Sequence, residues 1–102
     1  MVHRGVTGDA DIVIRSAKVI DGTGSNAVET DVAIEDDRIT AIGNLERVSG
    51  NVEISGAGRV LAPGFIDVHT HDDRALISNP DMSFKTSQGV TTVITGNCGI
   101  SL

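Results

Sequence analysis

The chain has 102 residues, enough for one domain or for a piece of a larger one. Its net charge of −6 argues against a nucleic-acid partner or an anionic membrane surface. The single cysteine, Cys98, excludes an internal disulfide; with no apolar run of membrane-spanning length and no secretory signal core, the cytoplasm is the expected compartment.

Valine and isoleucine dominate the apolar residues, and Phe65 and Phe84 are the only aromatics, a bias that favours strands. Residues 1–10 read as a flexible leader, and His3 within it reads as solvated. From Asp11 to Asp21 the run IVIRSAKVI predicts one strand, with a bulge near Ser16 and Ala17. Gly22 to Ala27 fits the loose dinucleotide pattern G-x-G-x-x-A. That pattern needs a helix to follow, whereas Val28 to Ile34 shows strand alternation, so the segment reads as a connection.

Asp31 to Ile42 predicts a hairpin turning at Asp36-Asp37, although Asp-Asp is a weaker turn signal than Asp-Gly. Asn44 to Asn51 reads as a polar loop, followed by short strands at Val52–Ile54 and Arg59–Leu61. Residues 11–62 therefore form an expected small antiparallel, β-sandwich-like domain. Its faces carry too few aromatics for a large independent core, so it needs a further layer on its second face.

Residues 63–102 read differently. Pro63-Gly64 is a turn signal, and Phe65 to Asp73 alternates residue by residue. On a strand, Ile66, Val68 and Thr70 share one side while Asp67, His69 and His71 share the other. Two imidazoles two residues apart on a strand can lean onto one metal ion; on a helix they would diverge. The bland alternative is a pair of half-exposed histidines at a strand end.

Next, Asn79-Pro80-Asp81 reads as a helix start with Asn79 as its N-cap, and Gly89 as its C-terminal close. Val90 to Thr95 then reads as a strand buried on both faces. Strand, helix and buried strand predict a βαβ unit. The second strand leads into Gly96-Asn-Cys-Gly99, so Cys98 would arrive at the same sheet end as the histidines, making a zinc-like donor set. For Cys98 the alternative is a small buried residue in a glycine-flanked turn.

The segments GRVLAPGFIDVHTHDD and SQGVTTVITGNCGIS resemble the amidohydrolase superfamily, and HTHDD with GNCGIS resembles its N-acyl-D-amino-acid deacylase branch. DIVIRSAKVIDGTG and DVAIEDDRITAIG resemble the N-terminal β part, a composite domain, shared with ureases and dihydropyrimidinases. The resemblance implies a mainly β chain: the β-sandwich-like unit followed by the first βαβ of an incomplete (β/α)8 barrel. It implies zinc as the cofactor of the parent enzyme, with His69, His71 and Cys98 as metal ligands. Asp67, Asp72 and Asp73 would be neighbours of the metal site or substrate contacts, the last two reading more simply as solvated loop acids. The implied reaction is hydrolysis of an N-acyl-D-amino acid to a carboxylate and a free D-amino acid. The implied general base, an aspartate, and further histidine ligands would lie beyond Leu102. The chain alone is therefore expected to be inactive and to need the remainder of its own chain as partner, since a barrel takes about 250 residues. A cyclic-amide hydrolase of the dihydroorotase or dihydropyrimidinase type is the alternative enzyme. Its bridging lysine finds no match, because Lys85 falls inside the expected helix. A non-catalytic β module is the alternative outside enzymes.

Overall fold

The computed structural model describes residues 8–96. The architecture is mainly β, as the residue bias predicts, and the chain divides into two compact units, Met1–Pro63 and Gly64–Leu102.

The first unit is one five-stranded sheet built on β1 (Gly8–Val19), which begins within the stretch that reads as a leader. β2 (Val28–Glu35) runs antiparallel to β1, and β3 (Arg38–Gly43) antiparallel to β2. The turn falls at Asp36-Asp37 as expected, with Asp36 in the left-handed region at φ 51. Aspartate tolerates that conformation better than most residues, and the Asp36 N–H is satisfied by Asp11 Oδ2 at 2.7 Å.

The other edge of β1 departs from the antiparallel expectation. β4 (Val48–Ser55) and β5 (Val60–Leu61) both pair with it in parallel. The β2–β3 hairpin is the long connection that parallel neighbours require. β4 also starts at Val48, inside the stretch expected to be a loop. Its third position takes glycine for want of room: a Cβ on Gly50 would stand only 2.8 Å from the Val13 backbone nitrogen.

The bulge expected near Ser16 and Ala17 is present. Ser16 sits at φ 56, and the register with β2 slips between Ile14 and Ala17. The Ser16 N–H, lost to the ladder, donates instead to Asp31 Oδ1 at 2.9 Å. The same bulge marks the change of partner on the other edge, from Arg15 opposite Ser55 to Lys18 opposite Val60.

The core of this unit is small. Val13, Ala33 and Ala41 stand in register across three strands and are buried. Leu45, from the β3–β4 connection, is fully buried with them. Alanines permit that connection to lie close against the sheet. Arg15 fastens it there by donating to the Leu45 carbonyl at 2.6 Å and to the Val48 carbonyl. Its guanidinium also grips Glu53 with two bonds of 2.8 and 3.0 Å. With a further bond from the Gly50 N–H, Arg15 holds the Glu53 carboxyl down to about 2. The larger branched residues, among them Ile14, Val32, Ile34, Ile39 and Ile42, line a shallow groove of about 260 Å³ elsewhere on the sheet. Ile39 is 60% exposed, in keeping with the uncovered second face expected from the scarcity of aromatics.

In the second unit, β6 (Phe65–Asp67) pairs in parallel with β7 (Val90–Val93), and α1 (Asp73–Ser78) and α2 (Ser83–Thr86) lie between them. This is the expected βαβ order with a different crossover. Asn79 does not start a helix; it ends one, donating its N–H to the Ala75 carbonyl at 2.7 Å. Pro80 pushes the residue before it out of the helical region, and Asn79 takes φ −135, ψ 72. A turn then closes from the Met82 N–H to the Asn79 carbonyl at 2.9 Å, and α2 follows with Lys85 inside it. β7 is not sealed on both faces by the described residues, since Thr91 and Thr92 are exposed. No helix among the described residues is long and apolar enough to cross a membrane.

Candidate metal centre

The two histidines follow directly from the end of β6. Pairing with β7 holds that end: the Phe65 N–H donates to the Gly89 carbonyl and the Ile94 N–H to the Asp67 carbonyl, both at 2.8 Å. The ladder stops at Asp67 opposite Val93, so His69 and His71 stand in the loop between β6 and α1 and not on the strand itself. This corrects the pleat argument for their shared direction. Only part of the expected alternation is present: Thr70 turns inward, 7% exposed, but Ile66 and Val68 are exposed at 61% and 62%, as His69 and His71 are exposed.

The two imidazole rings have centroids 6.0 Å apart and planes inclined by 48°. A zinc–nitrogen bond of about 2.0–2.1 Å puts a ligating ring's centre roughly 3 Å from the ion. Two rings on one tetrahedral ion therefore have centres roughly 5 Å apart. The observed pair stands about 1 Å wider, so the two rings would close slightly onto an ion. Among the described residues no three histidine, cysteine, aspartate or glutamate side chains converge to complete an ion site. Cys98 lies outside the described residues.

The acids around the pair are organised by Lys85, whose sequence context marks it only as a helix residue. Lys85 Nζ lies 2.7 Å from Asp67 Oδ2 and 3.1 Å from Asp72 Oδ2. The first contact is a hydrogen bond; the second is an ion pair without hydrogen-bond alignment, since Asp72 Oδ2 is buried with no hydrogen-bond partner among the described residues. Asp67 Oδ1 also accepts the His69 N–H at 3.3 Å. Lys85, and then that N–H, hold the Asp67 carboxyl below its usual range. The Thr70 hydroxyl, followed by Lys85, does the same for Asp72, and both acids push Lys85 upward.

Asp72 is thus no solvated loop acid; its side chain is 15% exposed. Asp73 opens α1 and keeps one buried oxygen, Oδ1, without a hydrogen-bond partner among the described residues. A signal for Lys85 does exist in the sequence: three carboxylates crowd the histidines, and Arg74 and Lys85 are the only lysine or arginine residues after Phe65.

Residues 53–101 match the amidohydrolase family. The chain is 52% identical over 93 residues to the N-acyl-D-aspartate deacylase of Alcaligenes xylosoxydans xylosoxydans, covering 91% of this chain and 19% of that protein. The D-aminoacylase of the same organism is 48% identical over 92 residues, covering 90% and 19%. The crystal structure of N-acyl-D-glutamate deacylase from Bordetella bronchiseptica, complexed with zinc and a phosphonate mimic of the tetrahedral intermediate, superposes with a TM-score of 0.85. It is 45% identical, and the match covers 92% of this chain and 20% of that one. The chain thus spans about a fifth of the length of the relatives it matches.

Proposed function

We propose that this chain, an amidohydrolase sequence of the D-aminoacylase group, supplies the first metal ligands of an enzyme that cleaves N-acyl-D-amino acids. His69 and His71 hold zinc, with Cys98 as their third protein partner. The products are a carboxylate and a free D-amino acid. The observation that carries this reading is the 6.0 Å separation of the two exposed rings at the exit of β6. Active sites of β/α barrels lie at that end of their strands.

Zinc, when bound, supplies Lewis-acid polarisation of the acyl carbonyl and a water acidified toward neutral pH. The part played by this chain is to hold and orient. The two imidazoles stand side by side, and the parallel pairing of β6 with β7 fixes where their loop leaves the sheet. Asp67 and Asp72 place negative charge beside that loop, partly offset by Lys85. The general base and the remaining ligands come from sequence after Leu102, which is the partner this chain works with. In domain terms, residues 11–62 serve as the β-sandwich-like part and residues 63–102 as the start of the hydrolase barrel.

Cys98 favours a linear over a cyclic amide substrate, and Lys85, on α2, is engaged by two carboxylates.

Zinc bound per chain, measured by mass spectrometry after buffer exchange, tests the ligand reading. Wild type is expected to retain zinc. His69→Ala, His71→Ala and Cys98→Ala should each weaken it by about tenfold or more, since even the outer partners of a metal site cost that much. Zinc content indifferent to all three substitutions would overturn the reading. The 102 residues alone are expected to leave N-acetyl-D-amino acids intact, and turnover by the purified chain would overturn the assignment of the base to later sequence.

A further inference from the structure

The loop that presents the histidines is short and fastened at both ends to one side chain. Asp67 closes β6, Asp72 precedes α1, and only Val68, His69, Thr70 and His71 lie between them. The Lys85 ammonium reaches Asp67 Oδ2 at 2.7 Å and Asp72 Oδ2 at 3.1 Å, so a single cation on α2 spans the base of the loop. Within the loop, Thr70 is buried at 7% exposure and the His69 N–H is held by the other oxygen of Asp67 at 3.3 Å.

Ion pairs on open surface contribute little, because water screens them and the side chains lose freedom. This one is shielded: Lys85, Asp67 and Asp72 expose 23%, 30% and 15% of their side chains. A loop that must order itself around an ion loses affinity by the entropy of that ordering, and a loop already ordered does not.

We propose that Lys85 is a positioning residue for the metal-binding pair: one ammonium clamps both ends of the loop and keeps the His69 and His71 rings side by side before an ion arrives. This rests on the zinc reading above. Lys85 acts through Asp67 and Asp72 and is not itself a ligand. Partners of this outer kind commonly change metal affinity by about 10–100-fold, and a clamp acting on loop order belongs at the lower end, about tenfold.

The test uses the full chain with Lys85→Met, Lys85→Arg, Asp72→Asn and His69→Ala. Zinc affinity is measured by competition with a chromophoric chelator, and loop order by 15N relaxation of the His69 and His71 amides without metal. Lys85→Met is expected to weaken zinc about tenfold and to lower the order parameters of both amides, leaving those of β1 and β2 unchanged. Lys85→Arg, which keeps the charge, restores most of both losses. Asp72→Asn, which cuts one arm of the clamp, falls between, and it stands in if Lys85→Met disturbs the β6–β7 pair. Wild-type zinc affinity in Lys85→Met, with zinc lost in His69→Ala, overturns the clamp and leaves the zinc reading standing. Undiminished zinc binding by His69→Ala overturns the zinc reading itself.

Discussion

The approach of Gly64 to Thr91 offers a direct test of how the strand that leads into the histidine loop is seated. A Cβ on Gly64 would stand 2.1 Å from Thr91 Oγ1, 2.4 Å from Cγ2 and 2.8 Å from Cβ. Rotating the threonine moves the first two atoms away but not the third, so the backbone of β6 or β7 must retreat. Forcing a methyl into such a contact costs about 1–3 kcal/mol. The Phe65 N–H bond to Gly89, one residue on, would be strained as well, adding about 0.5–1.5 kcal/mol. Gly64→Ala should therefore weaken the β6–β7 pair by about 1.5–4.5 kcal/mol, centred on about 3 and up to the full opening free energy of the pair. Amide hydrogen exchange reads this locally, because the Phe65 and Ile94 amides are hydrogen-bonded at opposite ends of the pair. Their exchange should accelerate by roughly 10-fold to 2,000-fold. Thr91→Ala added to Gly64→Ala removes two of the three overlaps. It should return about half of the loss, measured against Thr91→Ala alone in a double-mutant cycle. Unchanged exchange in Gly64→Ala, or no recovery in the double variant, would refute the reasoning.

Two further outcomes concern the first unit. Glu53 has its carboxyl lowered from 4.5 to about 2 by Arg15 and the Gly50 N–H, so its contribution to stability is complete above pH 4.5 and disappears as pH falls toward 2. In Glu53→Gln that part of the acid limb should flatten, as followed by the melting temperature against pH; an unaltered limb would count against the pairing. Asp31 accepts from the Ser16 N–H at 2.9 Å and the Leu45 N–H at 3.2 Å with different oxygens. Asp31→Ala should cost about 2–3 kcal/mol in urea unfolding followed by circular dichroism, and Asp31→Asn about half of that, since it keeps one acceptor oxygen. Equal effects from the two substitutions would show that the bulge does not depend on these bonds.

What could be read from the sequence was whatever depends on neighbours along the chain. Alternation in Val32 and Ile34 marks a strand, Asp36-Asp37 marks its turn, and the polar Ser16 inside an apolar run marks the bulge. β4 escaped because its first residues, Val48-Ser-Gly-Asn, have loop composition and become a strand only through β1 beside them. The direction of that pairing is likewise a property of distant segments. Asn79-Pro80 misled for a different reason. An asparagine before a proline suits the start of a helix and its end, and the choice fell to Ala75, whose carbonyl takes the Asn79 N–H. At the candidate site the histidine pair was legible because its chemistry is carried by residue type. For Lys85 the sequence carried only the weak signal of few cations beside three acids, because a lysine acquires a role from what it reaches, here two carboxylates.

The handover on β1 has a consequence for how the chain is made. The β2–β3 hairpin closes on β1 as soon as Gly43 is available, but the opposite edge of β1 waits for Val48 to meet Gly8 and for Val60 to meet Lys18. At about 5–20 residues per second of synthesis, that edge stays open for roughly two to ten seconds after β1 emerges. An unpaired strand edge is a template for other chains. Asp9, Asp11, Arg15 and Lys18 along β1 put charge on that edge while it is bare. The nascent chain is thereby guarded by the same Arg15 that later fastens β4.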